Sequence, residues 1–224
     1  MSKQPDHSAA RRTALRKLTL AGALGGGMLV LLREVAAANP DSGMRSIKGS
    51  VRIDGAPAEY GQRIRPGQTV TTESDSEAVF VVGKDAFLQR DNSTFQIEQN
   101  AGIVVLRYIS GKVLSVFGKG RKSLLTPTAT IGIRGTACYI EAEQARTYFC
   151  LCYGKALLTP HRDRSRQQAL HTRHHERPLY IHAGAGRSVV ESANVVNHVD
   201  AELIMLEALV GRVPPFSGKD FSPY

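Results

Sequence analysis

The sequence predicts an all-β fold of short strands, arranged as a sandwich, barrel or solenoid, with one amphipathic helix near the C-terminal end. Three observations predict it. Short runs with β-type alternation recur from residue 46 to residue 158, turn residues separate these runs, and helical spacing of apolar residues begins only after residue 197. Regularly spaced short strands joined by Gly, Asn, Asp and Ser are typical of all-β domains.

The first 38 residues have the pattern of a bacterial twin-arginine export signal. Arg11 and Arg12 precede a weakly apolar, glycine-rich run over residues 18–32, and the small residues 36–38 follow it. This run is shorter than the roughly 20 residues that a helix needs to span a bilayer. We therefore expect a signal peptide over residues 1–38, cleaved after recognition by the export machinery, and no stable membrane span afterwards. A basic helix on the membrane surface is the alternative.

The charge distribution supports this interpretation. The formal net charge is +9, but six of the 29 Lys and Arg and two of the 20 Asp and Glu lie before residue 39. Their removal leaves 23 basic and 18 acidic residues, a net charge of +5. We therefore expect no nucleic-acid partner and a location in the periplasm or outside a bacterial cell.

After this segment, residues 39–46 have the composition of a linker. The strands that we expect next cover residues 46–53, 63–71, 78–82, 86–89, 94–98, 103–109, 112–117, 123–125, 130–133, 137–142, 146–152 and 155–158. Two acidic segments, 75–77 and 91–93, lack the closely repeated oxygen ligands of a calcium loop, so we interpret them as turns.

The chain then changes character twice. Residues 159–196 are predicted to form a His-rich loop and a β extension, with an exposed loop or hairpin over residues 161–168 and strands at 179–181 and 188–191. Residues 197–224 are predicted to form a helix and a tail, with Asn197 or Asp200 as the helix cap and Gly211 as its end. This helix should pack its apolar side against the sheet. The apolar residues at helical spacing are Leu203, Ile204, Leu206, Leu209 and Val210.

The central motif of the chain is the threonine-rich stretch over residues 126–136. Within it, Gly132 and Gly135 lie on either side of Arg134. Glycines inside a strand pattern mark a bulge or a close approach of another backbone. We therefore expect Arg134 at a tightly packed strand crossing, where it either satisfies buried carbonyl groups or contacts a ligand.

This stretch is similar to the Thr-x-x-Ala-x-x-Gly-x-Arg-Gly-Thr signature of the FecR domain family, which ends here in Arg134, Gly135 and Thr136. Further matching segments occur in order at residues 49–51, 67–72, 92–93 and 153–156, so the resemblance covers residues 47–158. It implies a compact, solenoid-like β domain outside the cytoplasmic membrane, in a family that includes regulators of ferric siderophore uptake. The regulators that signal to sigma factors carry a cytoplasmic domain before a membrane helix. About seventeen residues precede the apolar run here, so we expect a stand-alone exported domain.

Three cysteines, Cys138, Cys150 and Cys152, lie within fifteen residues of one another. Strand alternation places Cys150 and Cys152 on one face, about 7 Å apart. The face of Cys138 depends on the register of the predicted hairpin around residues 143–145. Three interpretations stay open: a disulfide from Cys138 to Cys150 or Cys152, a metal centre, or small buried hydrophobic residues.

The histidine-rich loop favours the metal centre. His174 and His175 follow the cysteine hairpin, and thiolates with imidazoles match soft transition metals. The candidate ligands are therefore the three cysteines with His174 or His175, and the candidate cofactors are zinc, copper and an iron–sulfur centre. Adjacent histidines point to opposite faces of a strand, so we expect one of the two to bind. A solvated basic loop is the alternative.

Catalytic motifs are sparse. The serines lack the context of a nucleophile elbow, and Cys152 with His174 is the one candidate nucleophilic pair. We therefore expect no enzymatic activity.

The sequence predicts an exported, non-enzymatic binding protein with a Cys/His metal centre. Two alternatives stay open: a metal-free envelope signalling or structural domain that is held by a disulfide and contacts another envelope protein, and an accessory redox protein.

Overall fold

Two β-sheets that share two long, bent strands make up the fold. The computed structural model describes residues 42–100 and 103–219; the predicted export signal, with Arg11 and Arg12, lies outside the described residues. The described part contains one α-helix, α1 (Asp200–Leu209), and a 3-10 turn (Arg164–Arg166). Its strands are β1 (Gly43–Lys48), β2 (Val51–Ile53), β3 (Ala56–Pro57), β4 (Thr69–Thr72), β5 (Glu77–Val82), β6 (Asp85–Gln89), β7 (Ser93–Asn100), β8 (Ile103–Val116), β9 (Arg121–Leu125), β10 (Ala129–Arg134), β11 (Ala137–Ala142), β12 (Arg146–Pro160), β13 (Gln168–Thr172), β14 (Leu179–His182) and β15 (Val190–Ser192).

The sheet order confirms the predicted all-β class with a C-terminal helix. Sheet A is antiparallel and runs β1-β5-β6-β8-β11-β12-β14-β15. Sheet B runs β3-β2-β4-β7-β8-β9-β10-β12-β13, with β8 and β9 as its parallel pair. Because both sheets contain β8 and β12, the strands β8, β11, β12, β10 and β9 close into a ring. This β-barrel is the core of the fold, and the other strands extend from it.

Each shared strand changes sheets at a glycine. In β8 the pairing passes from sheet B to sheet A between Ser110 and Gly111, and in β12 it passes from A to B between Tyr153 and Gly154. Both glycines have left-handed φ angles, +82° and +103°. The sequence predicts two separate strands around each glycine, one before it and one after it. The structure has one bent strand instead, because glycine lets the backbone turn a corner while the strand keeps its hydrogen bonds to neighbouring strands.

The core between the sheets is rich in aromatic side chains. Phe87 lies at its centre, with ring centroids 5.0 Å from Phe80 and 5.1 Å from Phe95. Tyr108 continues the cluster, and its buried hydroxyl is hydrogen-bonded to Ser115 Oγ at 2.9 Å. The buried hydroxyl of Tyr108 therefore has a hydrogen-bond partner. The offset and edge-on contacts among the aromatic rings hold the two sheets together.

The motif over residues 126–136 differs from its prediction at two positions. Gly132 lies in a regular strand with no register shift, and an added Cβ would lie 4.0 Å from Leu157, so the expected bulge or close approach is absent there. Gly135 does require glycine, with φ at +63°. Arg134 is exposed at the end of β10 rather than enclosed at a crossing. It therefore does not satisfy buried carbonyl groups.

Threonines of the motif form a buried hydroxyl chain. Thr128 donates to Thr147 Oγ1 at 2.8 Å, and Thr147 donates to Thr126 Oγ1 at 3.1 Å. Thr126 Oγ1 also accepts from the backbone N–H of Ala129 at 3.0 Å. These bonds fix the tight turn before β10, which is a structural role for the threonines.

Other predicted boundaries shift because apolar side chains reach the core. The predicted linker ends early, since β1 begins at Gly43 and Met44 is fully buried. The predicted exposed hairpin over residues 161–168 is confirmed, with β13 as its second strand against β12. The acidic segments at Asp75 and Asn92 are turns with left-handed φ angles, as expected.

The predicted helix is confirmed, but its cap is not. α1 packs against β6 and β8 on the outer face of sheet A, with Leu203 and Leu206 buried. Its N-cap is Val199, so neither Asn197 nor Asp200 caps it. The Asp200 carboxylate instead accepts a hydrogen bond from a histidine.

Within residues 42–100 and 103–219, no helix has the length and apolar character needed to cross a membrane.

We expect Gly154→Ala to lower the free energy of unfolding by more than about 2 kcal/mol, because backbone strain and steric overlap add. The new Cβ would lie 2.6 Å from Thr136 Cγ2. Gly132→Ala is the matched control, and should change the free energy by less than about 0.5 kcal/mol. Urea denaturation measures both, and equal losses would contradict the corner assignment.

A buried ion pair links the two sheets beside this core. Asp85 of β6 and Lys122 of β9 are 3.2 Å apart, with side chains 11% and 7% exposed. The backbone of Gly118 completes the pair, donating to Asp85 at 2.8 Å and accepting from Lys122 at 3.1 Å. Burial raises the pKa of Asp85, and the Lys122 charge opposes that rise. The desolvation of the carboxylate is thus offset only in part.

Lys122→Met should lower the free energy of unfolding at neutral pH by about 3–5 kcal/mol, because it leaves a buried carboxylate unpaired. The cost should shrink as the pH falls through the raised pKa of Asp85, since the neutral carboxyl is easier to bury. The double variant Asp85→Leu with Lys122→Met should recover most of the loss. Arg107→Met, in the exposed pair with Glu98, is the control, with a cost below about 1 kcal/mol. A loss at Lys122 no larger than this would refute the argument.

Candidate metal centre

The alternation of β12 places two cysteines on the outer face of sheet A. Phe149 and Leu151 point into the core, so Cys150 and Cys152 point away from it. Both thiols are nevertheless fully buried, because other segments cover this face. The predicted pairing of Cys150 and Cys152 on one face is confirmed.

Cys138 lies on the opposite face. It pairs with Leu151 across the β11–β12 ladder, whereas Tyr139 pairs with Cys150. Cys138 therefore belongs to the hydrophobic core, where burial raises the pKa of its thiol. All three cysteines are free, so the alternative of a disulfide from Cys138 is not realised. The structure does not bring Cys138 into a ligand set with the other two.

The loop between β13 and β14 delivers a histidine to the thiols. His175 has a left-handed φ of +58°, and its backbone N–H donates to the carbonyl of Cys152 at 2.9 Å. Glu176 stabilises the turn, because its carboxylate accepts from the backbone N–H groups of Arg173 and His174 at 2.6 and 3.0 Å. An uncommon backbone conformation is thus held by specific bonds, a feature often found at functional sites.

The segment before α1 delivers a second histidine, His198. The neighbouring Asn197 anchors the segment, since its side chain donates to Glu141 at 2.6 Å and its carbonyl accepts from Arg90 at 2.8 Å. The ring of Tyr139 stacks on the His198 ring with centroids 4.6 Å apart. The position of His198 is therefore fixed from both sides.

Four donor atoms converge in this buried space. The Sγ atoms of Cys150 and Cys152 and ring nitrogens of His175 and His198 all lie within 4.8 Å of one another. His175 Nδ1 is 3.4 Å from Cys150 Sγ and 3.1 Å from His198 Nε2. All four residues are buried. The set has the composition of a Cys2His2 metal site.

The outer hydrogen bonds of the two histidines determine which nitrogens face inward. The carbonyl of Val196 can only accept, so His198 Nδ1 donates to it at 2.6 Å. His175 Nε2 likewise donates to the Asp200 carboxylate at 3.3 Å. In the neutral rings, the lone pairs of His175 Nδ1 and His198 Nε2 then face each other. Two facing acceptors repel unless they bind one cation, a proton or a metal ion. This outer bonding is that of metal-ligating histidines.

The electrostatics of the thiols differ. The Cys152 thiol donates towards Cys150, and this bond lowers the pKa of Cys150, with the two histidines adding to the effect against burial. Burial raises the pKa of Cys152. One thiolate is thus favoured within the cluster before any second proton is lost, and a thiolate is the form that binds metals.

His174 lies beside the cluster rather than in it. Its Nε2 is 2.8 Å from one oxygen of Asp200 and 3.0 Å from the other. Together with His175, these residues form a second group of candidate ligands at the edge of the first. Both adjacent histidines contact Asp200, and of the two only His175 also reaches the thiols. The expectation that they point to opposite faces of a strand is therefore wrong, because they lie in a loop.

Sequence reasoning missed His198 and the role of Asp200. His198 is separated from His175 by 23 residues, and no spacing connects it with the cysteines. The sequence contains one indirect indication. His198, Val199 and Asp200 lie at the start of a helix that is predicted to pack on the sheet, so His198 and Asp200 lie near Cys150 and Cys152 if the helix packs on the face that carries these thiols.

No protein-family model matches the chain, and no curated protein matches it either. Among solved structures, it is similar to two crystal structures, at 1.65 and 2.50 Å resolution, of a provisionally assigned anti-sigma factor from Parabacteroides distasonis. Each match has 10% sequence identity and a TM-score of 0.48, and covers 56% of this chain and 59% of that one. The match thus spans less than two thirds of that protein's length. The function is therefore inferred from the geometry of the site.

Proposed function

We propose that this protein is a non-enzymatic binding protein that holds one soft transition-metal ion at Cys150, Cys152, His175 and His198. The observation that carries the proposal is the pair of inward-facing histidine nitrogens, 3.1 Å apart, next to two buried thiols. A metal ion satisfies all four donors at once. In a dry interior, two ring nitrogens that face each other as acceptors would repel, and a bound cation would remove that cost.

The donor set favours zinc or copper(I). Two sulfurs and two imidazole nitrogens suit a tetrahedral zinc ion, and thiolate sulfur also attracts copper(I). The two histidines come from segments remote in sequence from β12, so the ion would fasten the β13–β14 loop and the start of α1 to sheet A. Its chemistry when bound is that of a cross-link between these elements.

The burial of the cluster argues against catalysis. Cys150, His175 and Asp200 follow one another in hydrogen-bond order, as in a nucleophilic triad. However, Cys150 is 0% exposed and His175 is 3% exposed, so a substrate has no route to the sulfur. A site with four protein ligands also lacks the open position that a catalytic metal needs. The predicted pair of Cys152 and His174 is replaced by Cys150 with His175.

The same proposal includes export and a place in the FecR domain family. The ordered motif segments of residues 47–158 support the family. Two positions of the signature have a structural reason for their residue type: Thr126 belongs to a buried hydroxyl chain, and Gly135 has a left-handed φ angle. The twin-arginine pattern supports transport of a folded domain to the periplasm or the outside of the cell. A protein that takes up its metal while folding in the cytoplasm fits that pathway, with another envelope protein as a candidate partner.

Elemental analysis of the purified protein should find about one equivalent of zinc or copper per chain, because four ligands bind one ion. Cys150→Ser with Cys152→Ser, and His198→Gln separately, should lose it. Cys138→Ser is the matched control and should retain it, since that thiol lies in the core. Asp200→Asn should weaken the affinity about 10- to 100-fold through its bond to His175.

Chelation of the wild-type protein provides a readout that does not depend on folding of the variants. It should lower amide-exchange protection in residues 173–178 and at the start of α1 while the aromatic core stays protected. Metal-free protein from the native compartment with these segments already protected would refute the proposal. So would metal retained in the double cysteine variant.

Export is tested separately. Replacement of both Arg11 and Arg12 with lysine should keep the protein in the cytoplasm, because paired arginines are the recognised feature of this signal. Cell fractionation measures the distribution, with Arg16→Lys as the control in the same segment. Normal export of the double variant would exclude the twin-arginine pathway.

A further inference from the structure

A second concave site lies towards the other end of α1. It is a cleft of about 440 Å³ lined by the loop after β8, the turn between β10 and β11, the corner of β12, the end of β13 and the segment after α1. The buried rings of Phe117 and Tyr153 line it, beside the backbone of Gly135 and Gly154. The cleft therefore has an apolar floor at the corner where the motif meets β12.

The rim of the cleft is strongly cationic. Four basic side chains line it, and Glu207 is its one acid. The Glu207 carboxylate is already engaged, since it accepts from the Tyr153 hydroxyl and from Arg212 Nε. Within the described residues, the other three cations form no salt bridge. The basic residues of the rim are Lys119, Arg173, Arg212 and Lys219.

Arg212 presents an unsatisfied donor here. Its Nη1 donates to the carbonyl of Lys84 at 2.6 Å, and its Nε is bound by Glu207. Its Nη2 is buried and has no hydrogen-bond partner among the described protein atoms. A buried guanidinium N–H without an acceptor is costly. Arg212 thus adds a second guanidinium to the rim beside Arg173, with one N–H that has no acceptor among the described protein atoms.

We propose that this cleft binds a carboxylate carried on an apolar group. The floor would bury the apolar part, and the cations of the rim would bind the carboxylate, with charge-assisted bonds from arginine. A C-terminal apolar residue of a partner protein and a free small carboxylic acid share this chemistry. The lining of the cleft includes none of the four proposed metal ligands, so carboxylate binding and metal binding can be measured separately.

Two glycines shape the backbone that lines the cleft. At Gly154, an added Cβ would also lie 3.1 Å from the carbonyl oxygen of Gly135. These two glycines keep the corner of β12 and the β10–β11 turn in close contact beneath the cleft. Gly135 thereby gives the end of the family-like motif a place at a binding site, which the exposed Arg134 does not have.

Isothermal titration with N-acetylphenylalanine and with its primary amide tests the proposal. The acid should bind about tenfold or more tightly than the amide, because the amide lacks the charge that the rim attracts. Arg173→Gln should lower the affinity for the acid about tenfold. Lys155→Gln is the matched control, an exposed cation on β12 outside the cleft, and should leave the affinity unchanged.

A second titration distinguishes a partner protein's C-terminus from a small carboxylic acid as the source of the carboxylate. It uses a glycine-rich peptide that ends in phenylalanine, once as the free acid and once as the C-terminal amide. Binding of this peptide acid supports a partner's C-terminus, and binding of N-acetylphenylalanine alone supports a small acid. Equal affinities for acid and amide, no binding of either acid, or unchanged affinity in Arg173→Gln with Lys119→Gln would overturn the proposal. Metal content measured in the same samples keeps its failure distinct from failure of the metal site.

Discussion

The two-residue period of β12 is the constraint on which the rest of the structure depends. Fifteen residues in one strand cannot all face one core, so alternation directs Phe149 and Leu151 inward and Cys150 and Cys152 outward. The corner at Gly154 then lets the same strand join the second sheet. One strand thus contributes to the core, supports both sheets and carries the thiols, and each further element is placed by what these faces require.

Polar residues from the region after residue 172 cover the outward face of β12. Tyr148 lies on the same face as the thiols, and its hydroxyl donates to the carbonyl of Asn194 at 3.0 Å, which draws the segment before α1 across the sheet. His198 and His175 then meet over the thiols. Burying two imidazoles and two thiols without a cation leaves facing acceptors, whereas an apolar cover would have needed no such bonds. A binding role explains this choice of residues better than packing does.

Local sequence patterns were sufficient for the fold class and for most strands, because alternation and turn residues act over a few neighbours. They failed where a glycine bends a strand without ending it, at Gly111 and Gly154, and where one apolar residue, Met44, extends β1 into a polar segment. The site was predicted in part for the same reason. Cys150 and Cys152 share a face by strand geometry alone, but His198 reaches them through a tertiary contact that no local spacing encodes, and the face of Cys138 depended on a register that only pairing defines.

The proposed metal centre and the cationic cleft lie near opposite ends of one short helix. α1 spans about 15 Å at 1.5 Å per residue, with Asp200 bonded to His175 at its start and Glu207 bonded to Arg212 near its end. The β13–β14 loop also connects the two, since Arg173 lines the cleft two residues before His175. A bound ion that ordered this loop and α1 would therefore also order the two walls of the cleft that contain Arg173 and Glu207. By thermodynamic linkage, a carboxylate that requires those walls would in turn strengthen metal binding by the same factor. The proposed cross-link and the proposed recognition surface would thus be coupled through two shared elements, the β13–β14 loop and α1, rather than through direct contact.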